Sequence, residues 1–461
     1  MACCNEHSRA EILRQGIARA GNGLPAIESG MPTPAGTGLD RRTFVARSLG
    51  LALAVYGGSA LGPRLLDEGI ASAAAATGGS QQVIVSVFLD GGADALSLLA
   101  PVQDPLYRSL RPRLALDPTA GTPFAEDPGL MWHPSLAPLA QLHAEGKVSV
   151  LPGVGYDHPN QSHFTSRHFW EVGAADERLA TGWLGRYLDR VGKPDNPLQG
   201  LSLDWSLQPS LATSKMPVAA VDAPDRYDFW ARGVWGDVAD RMIDTIGSLG
   251  SLSPRGDGGL RQASDALRQS SQLYKQLTPF RPKDNQPAYT SPVPYPGGDD
   301  RFPKRLAGLA AMLSAGLPLR VVALSAPGHY DTHDDQVKDL TDGLALTATS
   351  LLAFQRDLEA RGLADRVLVH VWSEFGRRAK ENGSGGTDHG AAGTGFLIGS
   401  RVAGTMIGEF PGLSKLDENG NLRATADFRG LYAAILEDWL TTDADGIIPG
   451  ARAFARPKIL R

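Results

Sequence analysis

The chain has 461 residues, 42% of them hydrophobic and 21% charged, the balance of an ordinary globular protein rather than a disordered or fibrous one. A formal net charge of −5 and the absence of a basic tract exclude a nucleic-acid-binding protein that works by neutralising phosphates. The only cysteines, Cys3 and Cys4, stand at the N-terminus, so the rest of the chain has neither disulfide nor thiol chemistry to offer.

In chain order, the first feature is the pair Arg41-Arg42, followed by Thr43-Phe44-Val45 and an apolar stretch from Leu49 to Leu61 broken by Gly57, Gly58 and Ser59. That stretch is shorter and milder than the roughly 20 apolar residues a membrane helix needs. It has the form of a cleaved export signal, and Ala71-Ser72-Ala73 supply small residues for a signal peptidase. Residues 1–76 are therefore expected to be a leader and twin-arginine signal peptide. The translocase of that route would be a transient partner, and the destination the periplasm or the extracellular envelope. No later apolar run is long enough to span a membrane.

Residues 77–461 then read as one α/β domain. Val83–Leu89 is almost wholly apolar and largely β-branched, as in a strand covered on both faces. Val148–Leu151, Leu319–Leu324, Val367–Trp372 and Phe396–Ile398 are further strand candidates. Between them, Leu340, Leu344, Ala348, Leu351, Phe354 and Leu358 recur at spacings of three and four, which defines one helical face. Arg361-Gly362 should end that helix, and Asp334 and Asp335 should cap its start. Another helix is expected over Lys304–Leu313. Residues 202–298, aromatic at first and Pro-rich at the end, read as an insertion or cap.

Polar, glycine-rich segments follow the strands, where open α/β sheets place their ligands. They are Asp90-Gly91-Gly92-Ala93-Asp94, the run Gly155–His163, Asp331-Thr332-His333, Ser373-Glu374-Phe375-Gly376-Arg377 and Thr387-Asp388-His389-Gly390. Each has a plainer use: Asp90 in a turn, Ser162 as a helix cap, Glu374 with Arg377 as an ion pair. His370, within a strand, reads as a satisfied core or surface histidine. Taken together, carboxylates mixed with imidazoles suit zinc, manganese or iron better than calcium. Such a metal would polarise an ester oxygen, and Arg167, Arg377 or Arg378 could pair with an anionic substrate.

These segments, with Ser162-His163-Phe164 and Thr181-Gly182-Trp183-Leu184-Gly185-Arg186, resemble the domain-of-unknown-function 1501 family from about Val83 to Trp439. The family is similar in turn to the alkaline phosphatase and sulfatase superfamily. That resemblance implies a three-layer α/β/α sandwich with a mostly parallel central sheet and metals at the strand ends. It also implies an exported hydrolase of phosphate or sulfate esters, small or polymeric. The resemblance implies Asp90, Asp331, His333 and His389 as metal ligands; Glu374 and Asp388 join them as candidates by residue type, and the ion expected is zinc or manganese. Ser162 would be the nucleophile, with Asp157 as the alternative register, and His163 and Arg377 would assist it. Phe375 departs from the superfamily pattern, because it stands where a histidine ligand is usual. The competing expectation is a non-catalytic exported protein that keeps the fold and binds a polymer or a partner.

Overall fold

The computed structural model describes residues 81–227, 236–251, 258–283 and 287–461. The leader and twin-arginine signal expected at residues 1–76 lie outside the described residues.

The main sheet has eight strands: β1 Val83–Phe88, β2 Val148–Gly155, β3 Gly200–Ser202, β4 Ala219–Ala220, β5 Val321–Ser325, β6 Val367–Trp372, β9 Gly393–Ile398 and β10 Ala426–Asp427. A two-stranded antiparallel hairpin, β7 Arg377–Glu381 with β8 Thr387–His389, leaves the end of β6. Across the main sheet the order is β10-β2-β9-β6-β1-β5-β3-β4. β1 lies parallel to β5 and β6 at the centre, and only β9 runs antiparallel to its neighbours β2 and β6. The five strand candidates are all present, and β3 with the edge strands β4 and β10 are too short for a sequence pattern to mark. β3 and β4 bring the start of the expected insertion into the sheet itself.

Alternation along β1 shows why this is a sandwich. Side chains of successive residues leave a strand on opposite faces, and here both faces are covered. Val83, Val85 and Val87 join a core with Leu139 and Leu142 of α1 (Ala137–Ala144), Leu306 and Leu309 of α6 (Phe302–Ser314), and Leu344, Leu351 and Leu358 of α7 (Gln336–Ala360). Ile84 and Phe88 join a second core with Phe169 and Trp170 of α2 (His163–Val172), Leu184 and Leu188 of α3 (Trp183–Val191), and Tyr432 of α8 (Phe428–Ala434). Each wholly buried Val, Ile or Leu contributes roughly 1.5–3 kcal/mol relative to exposure. The layers are thus helix, sheet and helix. α4 (Asp237–Gly250) and α5 (Gly258–Leu277) pack on one another through Ala239, Ile243 and Tyr274, while Leu273 and Leu277 reach the first core.

The apolar face read from Leu340 to Leu358 is buried throughout. Gly362, at φ 68°, accepts the left-handed turn that ends α7. The start of α7 differs from expectation. Asp335 occupies the N-cap position but is itself left-handed (φ 43°, ψ 31°), and its carboxylate bonds to no backbone N–H of the first turn. The entry is held instead by the Gln336 N–H, which donates to the Gly385 carbonyl at 3.2 Å. Of the two placements expected for His370, core or surface, the structure has the core; its Nδ1 is unpartnered rather than satisfied, and burial pushes its pKa down to about 3. No described helix is long and apolar enough to cross a membrane.

Candidate metal centre

The parallel strands β1, β5 and β6 end side by side, so the loops that follow them meet above the sheet. After β1 the chain turns sharply at Gly91 (φ 122°) and Gly92 (φ 74°). No larger residue fits there: a Cβ on Gly91 would lie 2.3 Å from the Asp331 nitrogen, and one on Gly92 2.3 Å from the Phe375 ring. The turn aims two backbone N–H groups at Glu374, which follows β6. Gly91 donates at 3.1 Å and Gly92 at 3.0 Å.

Glu374 is fully buried and also accepts from His163 Nδ1 at 2.7 Å. Burial by itself would raise its pKa, but the bond and the positive charge available from His163 hold the carboxyl below the usual range. With Nδ1 engaged by Glu374, Nε2 of His163 faces inward. It lies 3.0 Å from His389 Nε2 and 3.2 Å from Asp331 Oδ1. His389 is fixed in the same sense, because its Nδ1 lies 2.8 Å from the Gln161 carbonyl, which can only accept. His333 Nε2 stands alongside, 2.8 Å from His389 Nε2 and 3.2 Å from Asp331 Oδ1, with its Nδ1 3.5 Å from Asp388.

Asp331 is the common neighbour of all three rings. Burial would raise its pKa, but hydrogen bonds from His163, His333 and His389, and the charge of Arg377, carry it far below the carboxylate range. Phe375 packs against His163 and His389 with ring centroids 4.8 and 5.0 Å away, holding both rings in place. The residue that cannot ligate therefore orients two that can.

Three imidazole nitrogens this close to one another and to a carboxylate need protons or a cation among them. Ligand atoms of His163, Asp331 and His389 all fall within 4.8 Å of one another. That spacing suits an ion holding N and O ligands at roughly 2.0–2.2 Å. Each ring also has its second nitrogen held by a carboxylate or carbonyl, the arrangement by which metal-binding histidines are oriented. The donor set fits a zinc-like ion.

The other expected site residues take different places. Asp90 does not join the cluster; its side chain is 58% exposed and faces Arg167 at 3.4 Å. Glu374 supports His163 rather than meeting the other donors, and Asp388, half exposed, stands behind His333. Arg377 is wholly buried and donates to Asp331 at 2.6 Å, to the Gly92 and Thr387 carbonyls at 2.8 and 3.0 Å, and to the Gly91 carbonyl. With its donors so engaged, it straps the loops together. Ser162 precedes α2, half-buried, and its hydroxyl caps no backbone N–H of that helix. Asp157 is exposed. His163, expected to serve a nucleophile, instead faces the cluster; nothing in its local sequence distinguishes the two roles.

Two features flank the centre. Arg167, one turn along α2 from His163, is 28% exposed, bonds Glu171 at 2.8 Å and lies 4.4 Å over the Phe88 ring. A polar cavity of about 690 Å³ is lined by residues including His158, Asn160, Gln161, Glu418 and Arg423, and it reaches the centre through Gln161, whose carbonyl meets His389.

No curated protein matches the sequence. Among solved structures, the C-terminal periplasmic domain of EcEptC from Escherichia coli, in complex with Zn, is similar at 8% identity and a TM-score of 0.38, over 82% of this chain and 87% of that one. The soluble domain of lipooligosaccharide phosphoethanolamine transferase A from Neisseria meningitidis is 12% identical, with a TM-score of 0.34 over 82% and 95% of the two chains. A protein in the alkaline phosphatase superfamily from Vibrio parahaemolyticus is 8% identical, with a TM-score of 0.32 over 89% and 77%. Residues 282–437, which carry Asp331, His333, Glu374 and His389, match the model of the family described as Protein of unknown function (DUF1501).

Proposed function

We propose that this chain is a metal-dependent hydrolase of phosphate or sulfate esters that acts outside the cytoplasm. The observation that carries the reading is the convergence of His163 Nε2, His389 Nε2 and Asp331 Oδ1, with the second nitrogen of each ring already held. These three would hold the ion, zinc or manganese. A divalent metal there supplies positive charge that polarises an ester oxygen and favours a deprotonated nucleophile.

The chain's own groups do the rest. His333, beside the three at 2.8 Å from His389, can hold or deliver a proton at Nε2. Arg167 is the accessible cation, and its 3.4 Å contact with exposed Asp90 is loose enough for an anionic substrate to replace. Ser162 lies next to His163 and is the hydroxyl available for nucleophilic attack. The polar cavity beside Gln161 is large enough to receive the rest of the ester.

A second reading follows from His333. Should all four side chains hold the ion, the site is closed, as structural zinc sites are, and the protein is a non-catalytic exported one. The donors' exposure, 18–21% of each side chain, favours the open site.

Metal analysis of the purified protein, paired with hydrolysis of 4-nitrophenyl phosphate and 4-nitrophenyl sulfate, tests both. The enzyme reading expects about one equivalent of metal, lost together with activity in His389→Ala. It expects metal retained but turnover reduced in His333→Ala. Metal lost in His333→Ala from a chain with no hydrolytic activity favours the closed site. Metal-free protein whose stability ignores chelators overturns both.

A further inference from the structure

Asp94, Arg111 and Gln336 are polar and wholly buried. Asp94 and Arg111 form an ion pair with neither side chain exposed. Arg111 is fixed further by the Ala379 and Arg378 carbonyls, each at 2.9 Å, on β7. Breaking such a pair costs several kcal/mol, although making one gains little. The pair therefore matters for what it holds.

Gln336, the first residue of α7, connects that pair to the metal centre. Its Nε2 donates to Asp94 Oδ2 at 2.7 Å and to Ser97 Oγ at 3.3 Å. Its Oε1 accepts from Thr332 Oγ1 at 3.1 Å and from Thr387 Oγ1 at 2.6 Å. Thr332 lies between Asp331 and His333, and Thr387 lies two residues before His389. The Thr387 N–H also donates to the Thr332 carbonyl at 2.9 Å. One amide thus latches both loops to a rigid ion pair.

An amide meets the demands of this position. It must donate toward a carboxylate and accept from two hydroxyls at once. A glutamate would set a second buried carboxylate against Asp94, and an apolar residue would take away the acceptor of two buried hydroxyls, those of Thr332 and Thr387.

We infer that Gln336 is a positioning residue that sets metal affinity, by fixing the loop of Asp331 and His333 against the loop of His389. This rests on the metal-centre reading. Thr332→Val and Thr387→Val remove one arm each with little change of shape, and Gln336→Met removes both. Zinc affinity is measured by competition with a chelator, alongside the visible absorption of the cobalt(II)-loaded protein and the melting of the metal-free form.

Each threonine variant is expected to bind zinc about 10–100-fold more weakly, the usual effect of losing a group that orients a ligand, and to alter the cobalt spectrum. Gln336→Met should match the double threonine variant, and adding it to that double should change nothing more. Ser350→Ala, at a buried hydroxyl elsewhere on α7 that donates to the Leu346 carbonyl, controls for simple destabilisation. If Gln336→Met does not fold, the threonine variants decide. Zinc bound within twofold by folded variants, or weakened equally by Ser350→Ala, overturns this inference alone. An unsubstituted chain that binds no zinc overturns the metal reading and the inference together.

Discussion

Glu374→Gln tests the support of the metal centre most directly. The carboxylate accepts from Gly91 N, Gly92 N and His163 Nδ1 with no exposure to water. Glutamine keeps the shape but turns an NH₂ toward donors, leaving at least one buried N–H unpaired, at about 1–3 kcal/mol. Losing the charge from the His163 bond removes roughly 1 kcal/mol more. The metal-free variant should therefore be about 2–4 kcal/mol less stable near neutral pH by urea denaturation, out of the 5–15 kcal/mol typical of folded proteins. Because the folded pKa of Glu374 is lowered, its stabilisation is present above the ordinary glutamate range and is lost as pH falls through the folded value. The two proteins should converge in acid. With His163 no longer oriented, zinc should bind about 10–100-fold more weakly. A variant with unchanged stability and zinc affinity within threefold would refute the assigned role of Glu374.

Other outcomes follow from the same geometry. Arg167→Ala should leave zinc content intact while raising KM for an anionic ester by about 10–100-fold, as loss of a charge-assisted hydrogen bond implies; an unchanged KM removes Arg167 from substrate binding. Gly92→Ala sets a Cβ 2.3 Å from the Phe375 ring at φ 74°, so it should cost at least about 1–3 kcal/mol of stability, read from chemical denaturation. His370, with its folded pKa pushed down to about 3, stabilises the fold fully above its unfolded pKa of about 6.5. That stability should be lost toward pH 3 at up to about 1.4 kcal/mol per pH unit. His370→Leu should flatten the slope of unfolding free energy between pH 6 and 4, and an unaltered slope assigns the acid sensitivity elsewhere.

The sequence by itself determined what depends on local pattern. Val83–Phe88 and Val367–Trp372 are apolar at nearly every position, so they had to be strands covered on both sides, and the spacing from Leu340 to Leu358 had to be one buried helical face. Strands of that kind, alternating with helices, set an α/β sandwich with its loops at the strand ends. The residue types in those loops already spoke for a metal. Which of them meet was decided only by the tertiary structure. Asp90 and Glu374 both follow central strands and look alike in sequence, yet one is 58% exposed beside Arg167 and the other is buried beneath His163. The difference comes from the Gly91–Gly92 turn, which directs backbone N–H groups toward Glu374 and carries the chain away after Asp90. His163 and His389 are 226 residues apart, and Gln336 joins two loops through hydroxyls that any exposed threonine also possesses. Periodicity reports which face of an element is buried; it holds no information on the distance between side chains from separate loops, and ligand geometry is a matter of that distance.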